Sequence, residues 1–299
     1  MQVMTSSRAP YEPEGARAAL TRAGAGRVEV LDEVPSTSTA LVRAATADPG
    51  AWPDLSVVLA HHQSSGRGRA GRSWQTPAGA ALTISVLLRP DVPADRLGWV
   101  PLLTGLAVTR AVRDVAGVPA TLKWPNDVLV TDPGSRDALP GWGDRRKVAG
   151  VLAEVVPGPG TGGGPHAVVV GVGVNLTQTR QELPVPGATS LHLVAGAAGA
   201  VGPDLDRTAV AAALVSRLVE LDRRWRGASG ADDALHEECT AACSTLGGRV
   251  RVERPGGGGL VGTATALGPD GQLVVVDDDG REHHVLAGDV HHVRPDQVN

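Results

Sequence analysis

The sequence predicts an α+β fold, with helices packed on a central β-sheet and a small all-β barrel at the C-terminal end. Two observations lead there. Apolar runs of strand length recur at 28–34, 55–63, 82–89, 127–130, 147–156 and 167–176, and two stretches with helical spacing, 99–117 and 207–226, lie among and after them. From Leu246 the texture changes to short strands at roughly ten-residue spacing, joined by PGGGG and GPDG turns, which fits a barrel of about fifty residues. The chain thus divides into an arm and short helix (1–27), a main domain (28–245) and the barrel (246–299).

Each element has a local cause. Residues 1–13 read as a disordered arm, and 15–24 as a short helix ended by Gly24 and Gly26. VEVLDEV at 28–34 is a strand stopped by Pro35, after which Ser36 and Thr37 cap a helix through Ala40, Leu41 and Ala44. Buried strands at 55–63 and 82–89 flank a glycine- and arginine-rich segment, 64–80. In 99–117, Leu102, Leu103, Leu106, Val108 and Val112 form a stripe that faces a sheet. Strands at 127–130, 147–156 and 167–176 form hairpins across Gly- and Pro-rich connections at 132–144 and 157–165. Val210, Leu214, Leu218, Leu221 and Trp225 place a further helix on the back of the sheet, and RVRVER, LVGTATALG, QLVVVDD and EHHVLAG are the barrel strands.

Composition narrows the function. With 42% hydrophobic residues the chain can bury a core, made of Val, Leu, Ala and a few Trp because Phe is absent and Tyr occurs once. A net charge of −4 excludes the broad basic surface of non-specific nucleic-acid binding, so phosphate chemistry must rely on local positive charge. Cys239 and Cys243, four residues apart, suit one helical face better than a disulfide, and a cytoplasmic setting is expected. Met1–Glu14 lacks an apolar run, and no stretch approaches the roughly 20 residues that cross a bilayer, so neither signal peptide nor membrane span is expected.

GRGRAG at 66–71 satisfies the dinucleotide fingerprint, but Trp74, Pro77 and Gly79 lead into a strand where that motif needs a helix. What remains is Arg67, Arg69 and Arg72 interleaved with glycines: a loop that closes over carboxylate or phosphate oxygens, or a solvated flexible loop. In KWPND, Asn126 and Asp127 are hard-oxygen donors suited to Mg²⁺ on a triphosphate, or partners in an Asx turn. Lys147 opens a strand and brings its charge to the sheet's mouth or to a solvated rim, and Gly150 three places on permits close approach. Asn175 bonds a ribose or phosphate, or caps a turn. His236, Cys239 and Cys243 on one helix lack a fourth ligand and read as ordinary helix residues; His283, His284, His291 and His292 receive no role.

In order along the chain, PSTST (35–39), HQSSGRGRAGRSW (62–74), KWPNDVLV (123–130), RKVAGVLAE (146–154) and GVGVNL (171–176) resemble the biotin protein ligase family, and the tail resembles that family's SH3-like C-terminal barrel. The resemblance spans about residues 28–295. It implies a central mixed β-sheet of the class II aminoacyl-tRNA synthetase kind. It also implies an enzyme that activates biotin with ATP and Mg²⁺ to biotinyl-5'-AMP and transfers the biotinyl group to a lysine of a biotin carboxyl carrier protein. On this resemblance Ser36, Thr37, Ser38, Gln63 and Gly150 hold biotin, while Arg67, Gly68, Arg69 and Lys147 surround the reacting carboxylate and phosphate. Trp74, Asn126, Asp127 and Asn175 serve ATP together with Arg69 and Lys147; Asp127 holds the metal and assists the attacking lysine, and Arg67, Arg69, Lys147 and Asp127 form the catalytic set. About 27 residues before the first strand leave no room for the DNA-binding winged helix some members carry, so no DNA partner is expected. The 131–145 connection looks longer than the family's hairpin. A monomer or weak homodimer is expected; lipoate protein ligase and a non-catalytic biotin sensor are the alternatives.

Overall fold

The computed structural model describes residues 8–134, 139, 142–156, 167–197, 205–253 and 258–292. Helix α1 (Pro13–Arg22) leads to β1 (Val28–Val34), α2 (Thr37–Ala47), β2 (Val57–Gln63), the two-residue strands β3 (Gly66–Arg67) and β4 (Ser73–Trp74), and β5 (Ala81–Leu88). Helix α3 (Val100–Ala116) precedes β6 (Ala120–Lys123), β7 (Asp127–Thr131), β8 (Arg145–Val156) and β9 (Ala167–Asn175), followed by α4 (Leu191–Ala197), α5 (Arg207–Gly227) and α6 (Asp233–Ala242). The tail holds β10 (Arg249–Glu253), β11 (Gly259–Leu267), β12 (Leu273–Val276), β13 (Glu282–Val285) and β14 (Asp289–His292).

Seven strands form one sheet in the order β1-β2-β5-β9-β8-β7-β6. Only β1 and β2 run parallel, so the sheet is mixed. Its back carries the main core, where Val57, Leu59, Ile84, Val170, Val172 and Val174 meet α3 and α5. On its front α2 lays Leu41 and Ala45 on Val58, Leu87 and Val169. Because α2 is short, no helix covers the front beyond its N-terminus.

The C-terminal strands form an antiparallel sheet in the order β13-β12-β11-β10-β14. Among the described residues β13 and β14 do not pair with each other, so the expected barrel is a five-stranded sheet with two ends. Both are four residues long and each already has its single neighbour, β12 or β10. The β11–β12 turn docks on the main domain: Trp124 Nε1 donates to Gly271 O at 3.0 Å and Trp99 Nε1 to Pro269 O at 2.7 Å.

The expected arm is also corrected in part. Residues 8–12 lie on the main domain, with Arg8 paired to Glu182 at 2.8 Å, Tyr11 buried and Arg207 stacked on its ring. Residues 1–7, the 157–165 connection and most of 135–141 lie outside the described residues.

Asp222 on α5 is buried beside Arg226, with Nε 2.8 Å from its Oδ2. Burial outweighs the attraction of Arg226 and pushes its carboxyl up to about 6 from 3.8. Between those values the folded protein holds a proton that the unfolded chain has released, so stability falls as pH rises through that window and stays lower above it. Asp222→Asn is expected to flatten this part of the Tm profile, measured by thermal melts across a pH series; an unaltered slope would show that Asp222 does not cause it.

Candidate active site

Beyond α2 the front of the large sheet is nearly bare of side chains. Ladder partners share a face, so Ser85 on β5, Gly171 and Gly173 on β9, and Gly150 on β8 line one strip. A Cβ on Gly171 would overlap Ser38 Oγ; one on Gly173 would lie 2.8 Å from Trp74 Nε1, and one on Gly150 would lie 3.0 Å from Lys147 Nζ. Each glycine leaves space for the working end of another residue. Trp74, on β4 opposite Gly66, closes the strip from above, and its buried Nε1 has no hydrogen-bond partner among the described residues.

A polar corner forms at the N-terminus of α2. Ser36 is the N-cap, its Oγ accepting from Thr39 N at 3.4 Å, which fixes Thr37 and Ser38 in the first turn. Gln63 Oε1 accepts from Thr37 N at 2.8 Å and from Thr37 Oγ1 at 2.9 Å. Ser85 Oγ donates to Thr37 Oγ1 at 2.8 Å and lies 3.0 Å from Ser38 Oγ.

The charged centre adjoins this strip. Asp127 pairs across the ladder with Gly150, and a bulge at Val128/Leu129 lets Lys147 share their face despite the odd spacing. Lys147 Nζ stands 2.5 Å from Asp127 Oδ1 and 5.8 Å from the Trp74 ring centroid. Asn126 Nδ2 donates to Val151 O at 2.8 Å, which turns its Oδ1 to accept from Arg69 at 3.0 Å. Lys123, cross-strand from Asp127, is 7% exposed with its ammonium 4.9 Å from the Trp142 ring centroid. Burial pushes this ammonium below the ordinary lysine range, opposed by Asp127 and reinforced by Lys147.

Residues 66–74 fold back as the β3–β4 hairpin, with Ala70 and Gly71 at positive φ at its tip. Arg67 grips both oxygens of Glu154, at 2.7 and 2.6 Å, while Arg72 pairs with Asp289 of β14. Outside this hairpin lies a cleft of about 450 Å³ that shares Arg69, Gly68 and Asn126 with the site and is rimmed by Glu154, Gly271 and Leu286.

The structure therefore gathers Arg69, Asn126, Asp127, Lys147, Gly150 and Trp74 at one place, with Ser36, Thr37, Ser38 and Gln63 at the corner beside it. Two expected residues sit differently. The Arg67 guanidinium is held by Glu154, and Asn175 is 4% exposed with its amide spent on Thr189 O and Gln178 Nε2, so it braces the turn after β9. Ser85, Lys123, Glu154 and Asp289 were not singled out from the sequence, since only strand register brings them here. Among the described residues no group of three or more His, Cys, Asp or Glu could hold a metal; Cys239 is buried, its thiol pushed up to about 12 by that burial. No helix among them is long and apolar enough to cross a membrane.

The chain matches the model of the biotin/lipoate A/B protein ligase family over residues 31–175 and that of the biotin protein ligase C-terminal domain over 245–293. Within that class the chain belongs to the biotin protein ligases. It is 38% identical over 293 residues to the biotin--[acetyl-CoA-carboxylase] ligase of Mycobacterium tuberculosis, covering 96% of this chain and 97% of that protein. It is 30% identical to the bifunctional ligase/repressor of Escherichia coli over 49% of this chain and 40% of that one. The biotin protein ligase of Aquifex aeolicus in complex with biotin and ATP superposes with a TM-score of 0.68 at 26% identity, covering 90% of this chain and 99% of that one.

The Arg72–Asp289 pair joins the hairpin to the C-terminal sheet, and as an exposed pair it contributes at most about 1 kcal/mol. Asp289→Ala should therefore raise the rate of trypsin cleavage at Arg67, Arg69 and Arg72 by no more than about fivefold. Cleavage followed by mass spectrometry at limiting protease checks this, and an unchanged rate would mean the pair does not hold the hairpin.

Proposed function

We propose that this chain carries out ATP-dependent biotinylation of a carrier domain in two steps. The biotin carboxylate attacks the α-phosphate of ATP, forming biotinyl-5'-AMP and releasing pyrophosphate. A carrier lysine amine then attacks the acyl carbon, and AMP leaves. The observation that supports this most is the Lys147–Asp127 pair, with Arg69 held next to it by Asn126, at the edge of a floor made of three glycines.

Two anions must meet in the first step, so screening their repulsion is the main catalytic task. Lys147 and Arg69 would do it, an ammonium anchored by Asp127 and a guanidinium anchored by the neighbouring Asn126. Arg67 and the Gly68 backbone join when Arg67 exchanges Glu154 for the ligand, an exchange eased by the 46% exposure of the arginine side chain. Gly150, Gly171 and Gly173 admit the flat ring and chain of biotin, Trp74 walls the chain, and Ser36, Thr37, Ser38 and Gln63 take its ureido group. ATP enters as its magnesium complex. Asp127 would supply the protein's carboxylate, and one carboxylate is what Mg²⁺ carried mainly by phosphates needs. Asn126 orients Arg69 toward the phosphates.

In the second step, a lysine with pKa near 10.4 is neutral at pH 7 only about once in 2,500, equivalent to roughly 4.6 kcal/mol, so something must accept its proton. Asp127 is the carboxylate in reach of the reacting centre. The hairpin meanwhile shields the mixed anhydride from water until the carrier docks.

Incubation with ATP, Mg²⁺, biotin and a biotin carboxyl carrier domain should raise the carrier's mass by one biotinyl group; no mass change sinks the proposal. Lipoate in place of biotin should leave the thermal transition unmoved, whereas stabilisation by lipoate alone would favour a lipoate ligase. Lys147→Ala is expected to abolish biotin-dependent pyrophosphate exchange, and near-normal exchange would remove Lys147 from the centre. Arg69→Ala should release biotinyl-5'-AMP and label lysines indiscriminately, to be read as biotinylation of bulk albumin; retention of the intermediate in a chase would contradict this.

A further inference from the structure

Ser85 lies beneath the polar corner with 0% exposure, and no sequence motif marks it. Its hydroxyl is the middle of a chain of four side chains, and the direction of every proton in that chain follows from chemistry. Gln63 Oε1 can only accept, and the Thr37 backbone N–H donating to it at 2.8 Å fixes which end of the amide faces Thr37. Thr37 therefore spends its one hydroxyl proton on Gln63, at 2.9 Å. Ser85 must then donate to Thr37, at 2.8 Å, so Ser38 is the donor across the 3.0 Å contact to Ser85. Ser38 Oγ is left with lone pairs only, and Gln63 Nε2 with both its protons; neither has a further partner among the described residues.

We infer that Ser85 is a positioning residue that fixes this proton order, so that the corner presents an acceptor at Ser38 and donors at Gln63 Nε2, the complement of the N–H and C=O groups of a cyclic urea. The inference rests on the biotin-ligase function proposed above and extends it to headgroup selection. Without the Ser85 hydroxyl, Ser38 is free to turn its proton toward the ligand and oppose a ureido N–H, and Thr37 loses the donor that holds its rotamer. Gly171 keeps the relay in place, since a Cβ there would overlap Ser38 Oγ and lie 3.5 Å from Ser85 Oγ. A ligand whose ring carries no N–H, such as the dithiolane of a lipoyl group, gains nothing from the relay, so Ser85 favours biotin over that competitor.

The test is biotin-dependent ATP–pyrophosphate exchange by Ser85→Ala and Ser85→Thr. Loss of one ordered hydrogen bond predicts a biotin KM about tenfold higher in Ser85→Ala, with ATP KM and kcat within about twofold of wild type. Ser85→Thr, which keeps the hydroxyl, should restore the biotin KM to within about threefold. Because Ser85 acts through Ser38, Ser38→Ala should cost less in the Ser85→Ala background than alone. A Ser85→Ala biotin KM within twofold of wild type, or an ATP KM rising in parallel, overturns the inference while leaving the ligase function intact. A wild-type protein without any biotin-dependent exchange overturns that function, and this inference with it.

Discussion

How closely a ligand can approach the front of the large sheet is set by three glycines on two neighbouring strands. Gly150, Gly171 and Gly173 remove side chains from a strip bordered by the capped end of α2 on one side and the Lys147–Asp127 pair on the other. Everything else follows from that clearance. Trp74 can lie flat only where Gly173 has no Cβ, the hairpin carrying Trp74 can close only where its indole finds that seat, and Arg69 reaches Asn126 only when the hairpin is closed. A side chain at Gly173 would push Trp74 and its hairpin outward, one at Gly171 would displace Ser38, and one at Gly150 would crowd the Lys147 ammonium.

The positive charge at the site is kept in check by paired partners. Lys147 rests on Asp127, Arg67 on Glu154 and Arg72 on Asp289, while Lys123 is held by burial against Trp142. A protein of net charge −4 thus concentrates cations without a basic surface. Exposed pairs of this kind are worth little and exchange readily, so anionic ligands compete for the arginines at small cost.

The long apolar runs of β5 and β9 were legible as strands because burial on both faces demands them, and β1, β2, β7 and β8 also lie where the sequence places strands. The four residues of β6 have no such run; that segment is a strand because β7 pairs with it. The hairpin strands β3 and β4 are two residues each and hold by local geometry more than by composition. At the candidate site, Ser36, Thr37, Asn126, Asp127 and Lys147 were legible because capping, turn and strand-start positions leave local marks, whereas Ser38 and Gln63 were named only through the family resemblance. Ser85 was not, since one serine in LTISVLL gives no hint of which side chain its register sets above it. The Arg72–Asp289 pair joins residues 217 apart in sequence, and local pattern carries no information about it. Asn175 has the look of a ligand-binding amide, but Gln178 and Thr189 claim it once the chain turns after β9.

The indole N–H of Trp74 has energetic weight of its own. A buried donor without an acceptor destabilises the arrangement that encloses it by about 1–3 kcal/mol. An acceptor oxygen brought within reach of that nitrogen would offset this cost and so favour the arrangement that encloses it. Such an oxygen would add to affinity by what it spares the protein, over and above its own contacts.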